Sequence, residues 1–187
     1  MQFFKDSVSG TVYSMDDHVT QQTINGVVSF VGINGNILTG LPAATLVSYI
    51  PPAPTAATLL SNAIAAQSIV LNAACNATII GGFISSALGA PYLYPFNTID
   101  QINLSGNISS SFYPSLPATW VTPQMCATIA TTTAPAVWAY VNHTVAQIQQ
   151  VGLDAKTFKI NTLTKHASLQ AQLQNATSPS AAALIVW

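Results

Sequence analysis

The first 48 residues carry a pattern that is typical of short β-strands. Two runs, GTVYSM (10–15) and GVVSFVGI (26–33), are rich in β-branched and aromatic residues. Asn25-Gly26 and Asn34-Gly35 bracket the second run, and an Asn-Gly pair beside strand-like runs favours a hairpin because both residues tolerate positive φ. The sequence predicts a small antiparallel β meander and leaves 16–24 open as a loop or a further short strand. The predicted strands of this meander are 2–5, 10–15, 27–33 and 36–39.

A proline-rich stretch follows the predicted strands. YIPPAPTAA (49–57) contains three prolines, which lack the amide donor and stiffen the chain toward an extended form. We interpret 49–55 as a linker ending at Thr55, a residue type that suits a helix N-cap. The sequence thus predicts an N-terminal β domain over 1–48 and a C-terminal α+β domain over 56–187.

After the linker, the spacing of apolar residues changes to that of a helix. Five residues of the run 56–83 fall on one helical face: Leu60, Ile64, Leu71, Cys75 and Ile79. The helix is predicted to end at Gly81-Gly82. The run is long enough to span a bilayer, but its Asn and Gln side chains are costly in lipid and no Lys or Arg flanks it. We therefore predict an amphipathic helix and no membrane span.

The middle of the C-terminal domain mixes turn and helix signals. The stretch 83–96 has a turn-like Gly-Ala-Pro between two apolar arms, which indicates a β-hairpin or an extended docking segment. The stretch 97–112 fits a short helix capped by Asn97 or Thr98. Three prolines in 113–123 favour a loop.

The last third of the chain predicts a strand that leads into a long helix. The segment 134–152 starts strand-like and turns helical at Thr144. From Thr144 to Ala176 apolar residues recur mostly every three or four positions, with a possible interruption at Gly152. Ser178-Pro179 should end this helix, and the hydrophobic tail 181–187 should dock on the body of the protein or on a partner.

Charged residues are scarce. They make up 5% of the chain, against about 25% in an average soluble domain, and the net charge is -1, with four Lys, five Asp and neither Arg nor Glu. No basic stripe is available for nucleic acid. Low net charge also favours association. The composition therefore predicts a permanent assembly, in which the chain is a homo-oligomer with no nucleic-acid partner.

Recognisable catalytic motifs are missing from the sequence. It contains no Gly-x-Ser-x-Gly elbow, no phosphate loop ending in Lys-Ser/Thr and no zinc-ligand spacing. Cys75 and Cys126 are interpreted as buried thiols, with one bridge between them as the alternative. We interpret the MDDH stretch (15–18) as a solvated turn rather than a metal site. His143 should cap a helix or lie in the core, and His166 should be exposed. We predict no enzyme activity, cofactor or metal.

Aromatic residues cluster in the middle of the chain. A core role is favoured for them, and a contact surface is the alternative, since aromatic side chains are enriched at interface hot spots. The candidate interaction residues are Trp120, Trp138, Tyr140, Phe158, Leu169, Leu173 and Trp187.

Several collinear blocks resemble a known kind of protein. The blocks LNAACNATIIGGFISSALGAPYLYPFNTIDQINLSGNI, LPATWVTPQMC and WAYVNHTVAQIQQVGLDAKTFKINTLTKHASLQAQLQNA look like a domain of tail-region proteins from tailed bacteriophages and prophages. This likeness covers roughly 55–187. The opening MQFFKDSVSGTVYSMDD is similar to the N-termini of tail-fibre and tail-fibre assembly proteins. The charged helices usual in that domain are depleted here, and it has no catalytic residues to transfer.

The resemblance implies a structural protein of the phage tail, fibre- or baseplate-associated, that acts by assembly. Its expected partners are other tail proteins and copies of itself. Its expected location is the virion, after synthesis in the cytoplasm of the bacterial host. Two alternatives stay open at this point: a tail-fibre assembly chaperone and a host-surface binding module.

Overall fold

The chain forms two units. The computed structural model of the chain describes residues 1–129 and 135–187. Within these residues, unit 1 comprises Met1–Pro54 and unit 2 comprises Thr55–Trp187. Both units contain antiparallel β-sheet, and unit 2 adds helices that include a long one near its C-terminus. The predicted α+β class is confirmed.

Unit 1 is built from five short strands in two antiparallel sheets. One sheet has the order β2-β1-β5, and the other pairs β3 with β4. The strands are antiparallel as predicted, but the single meander was wrong, because β2 does not pair with β3. Asn25 and Gly26, with φ of 52° and 80°, form the two-residue turn between β3 and β4 that the Asn-Gly signal predicts. The strands are β1 (Gln2–Asp6), β2 (Val12–Met15), β3 (Thr20–Ile24), β4 (Val27–Val31) and β5 (Leu46–Ser48).

Two strand predictions in unit 1 need correction. The strand predicted at 36–39 was wrong, because after a turn at 32–36 the chain makes only a single bridge, between Val31 and Ile37. The second half of the open stretch 16–24 is strand β3. Strand β5 was not predicted, because three residues are too few to show an alternating pattern. It pairs with the edge of β1 that β2 leaves open, where Leu46 is buried.

The core of unit 1 is small. Phe4 and Phe30 meet edge to face with ring centroids 4.8 Å apart, and Met15, Val19 and Leu46 complete the cluster. This cluster binds the two sheets of unit 1 to each other. Val31 is also buried, but it lies outside this cluster.

Unit 1 also buries one carboxylate. The oxygens of Asp6 accept hydrogen bonds from the Ser9 hydroxyl and from the amides of Val8 and Ser9, each amide at 3.1 Å. These bonds, the one from the Ser9 hydroxyl first, hold the pKa of Asp6 well below its ordinary value. Asp6 is thus stabilised as an anion by the turn that follows β1.

Unit 2 opens with helix α1 (Ala56–Ile80), which confirms the helix predicted after the linker. The Thr55 side chain caps it by accepting a hydrogen bond from the Thr58 amide at 3.1 Å. The helix ends at Gly81 and Gly82. Gly82 has φ of +95°, and a Cβ there would collide with the Tyr94 carbonyl oxygen, so only glycine fits this close approach.

A four-stranded antiparallel sheet packs beside the helices, with the order β6-β7-β8-β9. Its first two strands form the hairpin that was one of the two interpretations of 83–96. Helix α2 (Thr98–Ser110) follows them and is capped by Asn97, with the Asp100 side chain completing a capping box. The strands are β6 (Phe83–Ser85), β7 (Tyr92–Tyr94), β8 (Val121–Thr128) and β9 (Trp138–Thr144).

The loop predicted for 113–123 is too long, because β8 begins at Val121. Pro123 lies inside this strand, opposite Asn142 of β9. Strand β7 reaches β8 only at Ala127 and Thr128, so β8 has a neighbour on one side at Pro123. Proline has no amide hydrogen to donate, and because β7 does not extend to Pro123, no hydrogen bond between β7 and β8 is lost there.

Strand β9 runs directly into helix α3 (Val145–Gln174), and Thr144 and Gln147 form a capping box at the junction. Ala134, at the start of the predicted strand–helix segment, lies outside the described residues. The possible interruption at Gly152 does not occur. A Cβ at Gly152 would lie 2.5 Å from the Ile108 side chain, so this glycine lets α2 pack closely on α3.

The C-terminal tail docks on unit 2 itself. Ser178 caps a short helix, α4 (Pro179–Ala183), whose Ala182 is buried with Leu71 and Leu173. The Lys165 ammonium lies 4.5 Å from the centre of the Trp187 ring. Of the two expectations for the tail, docking on the body and docking on a partner, the structure shows the first.

The main core of unit 2 lies between the sheet and helices α1, α2 and α3. Within it Phe83 stacks on Tyr94 and meets Phe96 edge to face. Cys75 and Cys126 are both buried and unbonded, as favoured from the sequence. The second cluster of unit 2, around Leu71 and Leu173, joins α1, α3 and α4.

Candidate assembly surface

The buried polar pair at the centre of unit 2 could be mistaken for a catalytic site. The Tyr94 hydroxyl lies 2.8 Å from His143 Nε2, and His143 Nδ1 lies 2.8 Å from the Val141 carbonyl oxygen. Burial raises the pKa of Tyr94 and lowers the pKa of His143, so both groups are neutral. We infer that Nδ1 donates to Val141 and that Nε2 accepts from Tyr94. Both side chains are fully buried, so of the two roles expected for His143, a helix cap or a place in the core, the structure shows the second.

The thiol of Cys126 belongs to the same buried region. Burial raises its pKa, and the nearby Tyr94 side chain opposes this by a smaller amount. A buried, protonated thiol is a poor nucleophile. This cluster satisfies its own polar groups and stabilises the fold.

The MDDH stretch lies in unit 1. Asp16 and His18 line an open cavity of about 500 Å³, together with Tyr13 and residues of the loop after β4. Residues 1–129 and 135–187 contain no group of three or more His, Cys, Asp or Glu that could hold a metal ion.

The other two histidines, His166 and His18, differ in how far they are exposed to solvent. His166 was expected to be exposed but is half-buried, with Nε2 2.8 Å from the Asn72 amide oxygen. His18 is exposed.

Two of the seven candidate interaction residues lie on the surface together. Trp138 is 48% exposed and Tyr140 is 70% exposed, and both lie on the outer face of β9 because they are two positions apart. The other five pack inside unit 2. Leu173 is fully buried, and four more are partly buried: Trp120, Phe158, Leu169 and Trp187.

Tyr140 lines a groove between helix α2 and strands β8 and β9, which we name the α2–β9 groove. Its volume is about 580 Å³, and Met125 and Pro123 of β8 and Ile102 of α2 line it as well. Its walls are apolar side chains and neutral amides, with the carboxyl of Asp100 at one end.

Hydrogen bonds from Asn107 hold the two walls of the groove together. Its amide nitrogen donates to Gln124 Oε1 at 2.9 Å and to the Pro123 carbonyl oxygen at 3.2 Å. Its amide oxygen accepts from the Thr122 hydroxyl at 2.8 Å. The groove is therefore preformed by contacts inside unit 2.

Strand β9 borders this groove and is also an edge strand. Among the described strands it pairs only with β8, so the peptide groups of its outer edge have no strand partner. Exposed apolar side chains occur on α2 as well: Ile102, which lines the groove, Ile99, and Phe112 just after the helix. Ile99 and Ile102 were not predicted as surface residues, although two isoleucines three positions apart on one helix are a visible signal.

Helix α1 carries a second exposed apolar surface. Within the described parts of the chain it is the one helix long and apolar enough to cross a membrane, with a mean hydropathy of 1.5. Only 17% of its most apolar window is buried, yet one of its faces packs against α3 and α4. The prediction that the chain has no membrane span stays a prediction.

The chain matches no protein-family model, no curated protein and no solved structure.

Proposed function

We propose that this chain is a structural protein of a bacteriophage tail, associated with the fibre or baseplate, that acts by protein–protein assembly. It would be made in the bacterial cytoplasm and held in the virion by other tail proteins and by copies of itself. The observation that carries the proposal is the large exposed apolar surface on a chain with only nine charged side chains. No catalytic step, cofactor or nucleic acid is part of it.

The physical reason is the composition of the exposed surface. Contiguous exposed apolar patches mark interaction sites in most proteins, and interface centres are depleted in charge and enriched in aromatic residues. Unit 2 exposes Trp138, Tyr140, Phe112 and Tyr113. Such side chains form binding hot spots when a partner removes them from water.

The α2–β9 groove supports a specific mode of binding. An extended segment of a partner could pair with the outer edge of β9 and place a side chain in the groove beside Tyr140. Backbone pairing would satisfy the free peptide groups of β9, and Trp138 and Tyr140 would supply apolar contact area. This mode needs no charged residue on either side.

Peptide mapping of purified virions by mass spectrometry tests the proposal. The expected result is that the chain is present at a fixed ratio to known tail proteins and stays on particles through a high-salt gradient, because neutral contacts are not screened. Presence in infected cells without presence on particles would contradict the proposal and favour the assembly chaperone instead.

A surface variant tests the role of β9. Changing Trp138 and Tyr140 together to Ser should lower the amount of the chain on particles without unfolding unit 2, since both side chains are exposed. The matched control is Leu163→Ser, an exposed apolar residue on α3. Equal incorporation of the double variant and the control would exclude β9 as the attachment site.

A further inference from the structure

Helix α1 presents an exposed row of residues with coiled-coil spacing, which we name the α1 seam. Its members are spaced alternately by three and four positions, the repeat that keeps one stripe facing a partner helix. All are exposed, whereas Leu71, Cys75 and Ile79 on the opposite face are buried. The α1 seam comprises Leu59, Asn62, Ala66, Ile69, Ala73, Asn76 and Ile80.

The α1 seam is complementary to itself. Read from Ile69 in either direction, it passes through Ala, then Asn, then a large aliphatic residue. Asn62 and Asn76 therefore face asparagine of an identical helix whether the two helices run parallel or antiparallel. Each side-chain amide offers both donors and an acceptor, so such a pair satisfies itself. Buried Asn at a seam position is a known device for setting helix register.

The charge of α1 also favours a second copy. The helix contains no charged side chain from Ala56 to Ile80, so two copies would not repel each other. A charged partner would have to bury charges without counterparts, which is costly. A lipid bilayer would leave the amides of Asn62 and Asn76 without partners, at the same kind of cost.

The area of the α1 seam sets the strength of such a contact. A helix of this length extends about 37 Å, and a stripe one third of its girth covers on the order of 500 Å² per copy. Two copies would bury roughly 1,000 Å², the lower limit for a specific interface. Pairing through α1 alone is therefore reversible, and a permanent assembly needs further contacts.

We propose that α1 binds α1 of a second copy of this chain through the α1 seam. This inference rests on the proposed assembly function and names one of its partners. Ile69 lies at the centre of the symmetric pattern, so it meets Ile69 of the second copy in both helix orientations.

Disulfide trapping of the full chain tests this contact directly. Ile69→Cys should form a covalent dimer under mild oxidation, and Ser61→Cys, at an exposed position of the same helix outside the α1 seam, should not. The native Cys75 and Cys126 are buried, so the unmodified chain serves as the background control. Failure of Ile69→Cys to cross-link, or equal cross-linking by Ser61→Cys, would overturn the proposal.

Sedimentation velocity gives the second measurement. Ile69→Lys should weaken self-association of the full chain about tenfold or more, because an ammonium would be placed in an apolar contact. Ser61→Lys should leave it unchanged. A monomeric wild-type chain that binds neutral phosphatidylcholine vesicles would overturn the proposal, and so would self-association that survives Ile69→Lys. If purified virions still contain the chain in either case, the assembly function stands and only the α1 contact fails.

Discussion

The two units bury polar groups in opposite ways. Unit 1 buries an ionised carboxylate, Asp6, which the Ser9 hydroxyl and neighbouring amides stabilise as an anion. Unit 2 buries a neutral pair, Tyr94 and His143, whose pKa values are shifted by burial away from the charged forms. The difference shows that a chain with few charged residues can still bury an ionised carboxylate where a turn supplies hydrogen-bond donors to it.

The units also differ in the size of their cores. Unit 1 has one small cluster around Phe4 and Phe30, whereas unit 2 has two clusters that join its sheet and helices. Small domains bury a smaller share of their surface and have little stability to lose. All three tryptophans, Trp120, Trp138 and Trp187, lie in unit 2, so their fluorescence reports on that unit.

The largest effect is expected from Phe30→Ala. Removing this fully buried ring should cost about 3–5 kcal/mol, which is comparable to the whole stability of so small a unit. Hydrogen exchange should show loss of protection over 2–48, while the tryptophan unfolding transition stays unchanged. Val27→Ala, at an exposed position of the same strand, is the control. A shifted tryptophan transition would show that the two units do not unfold separately.

The matching change in unit 2 is Leu71→Ala. Leu71 is fully buried between α1, α3 and α4, so its truncation should cost about 2–5 kcal/mol. The urea midpoint measured by tryptophan fluorescence should fall, while unit 1 keeps its exchange protection. Val70→Ala, at the exposed neighbouring position, should stay within about 0.5 kcal/mol of the wild type. Similar losses from both variants would contradict the orientation of α1.

A smaller effect on the stability of unit 2 is expected from a change of pH. The pKa of His143 is lowered in the folded state, so the unfolded chain binds more protons as the pH falls. Unit 2 should be fully stable above about pH 6.5 and lose at most about 1.4 kcal/mol per pH unit below it. Urea unfolding at about pH 7.5 and about pH 5.5 measures this loss. His143→Gln should remove most of it, and an unchanged loss in that variant would point to another group.

The smallest effect near neutral pH is expected at Asp6. Its pKa is lowered by folding, so its stabilising contribution is present above the ordinary value of 3.8 and is lost as the pH falls below it. Exchange protection of β1 and β2 should therefore decrease only below about pH 4. Asp6→Asn should show no such acid step, although it lowers protection at pH 7. An acid step of equal size in Asp6→Asn would assign it to a different carboxyl.

Local signals in the sequence predicted much of the fold. The caps Thr55, Asn97 and Thr144 and the turn at Asn25-Gly26 each depend on a few adjacent residues, so they can be read without a partner. Strands β5 and β8 were missed or shortened because their pairing partners lie far away in the chain. The role of Gly152 was likewise hidden, since it depends on Ile108 of another helix.

The candidate site was only partly predictable. Composition indicated that the surface is apolar, and residue type pointed to aromatic and leucine side chains. Residue type alone does not say which side chains face the core. Leu173 and Tyr140 were equal candidates in the sequence, but Leu173 is buried in a core cluster and Tyr140 is exposed on the edge strand. The period-two pattern of β9 placed Trp138 and Tyr140 on one face, and only the pairing with β8 identified it as an edge.

The direct junction between β9 and α3 has a mechanical consequence. No loop separates the strand from the helix, and the capping box at Thr144 locks the first turn. A force applied to Trp138 or Tyr140 is therefore passed along a rod of about 45 Å, which is the length of α3. A load on the strand edge would therefore reach α3 and the sheet and helices packed along it, instead of being absorbed by a flexible hinge.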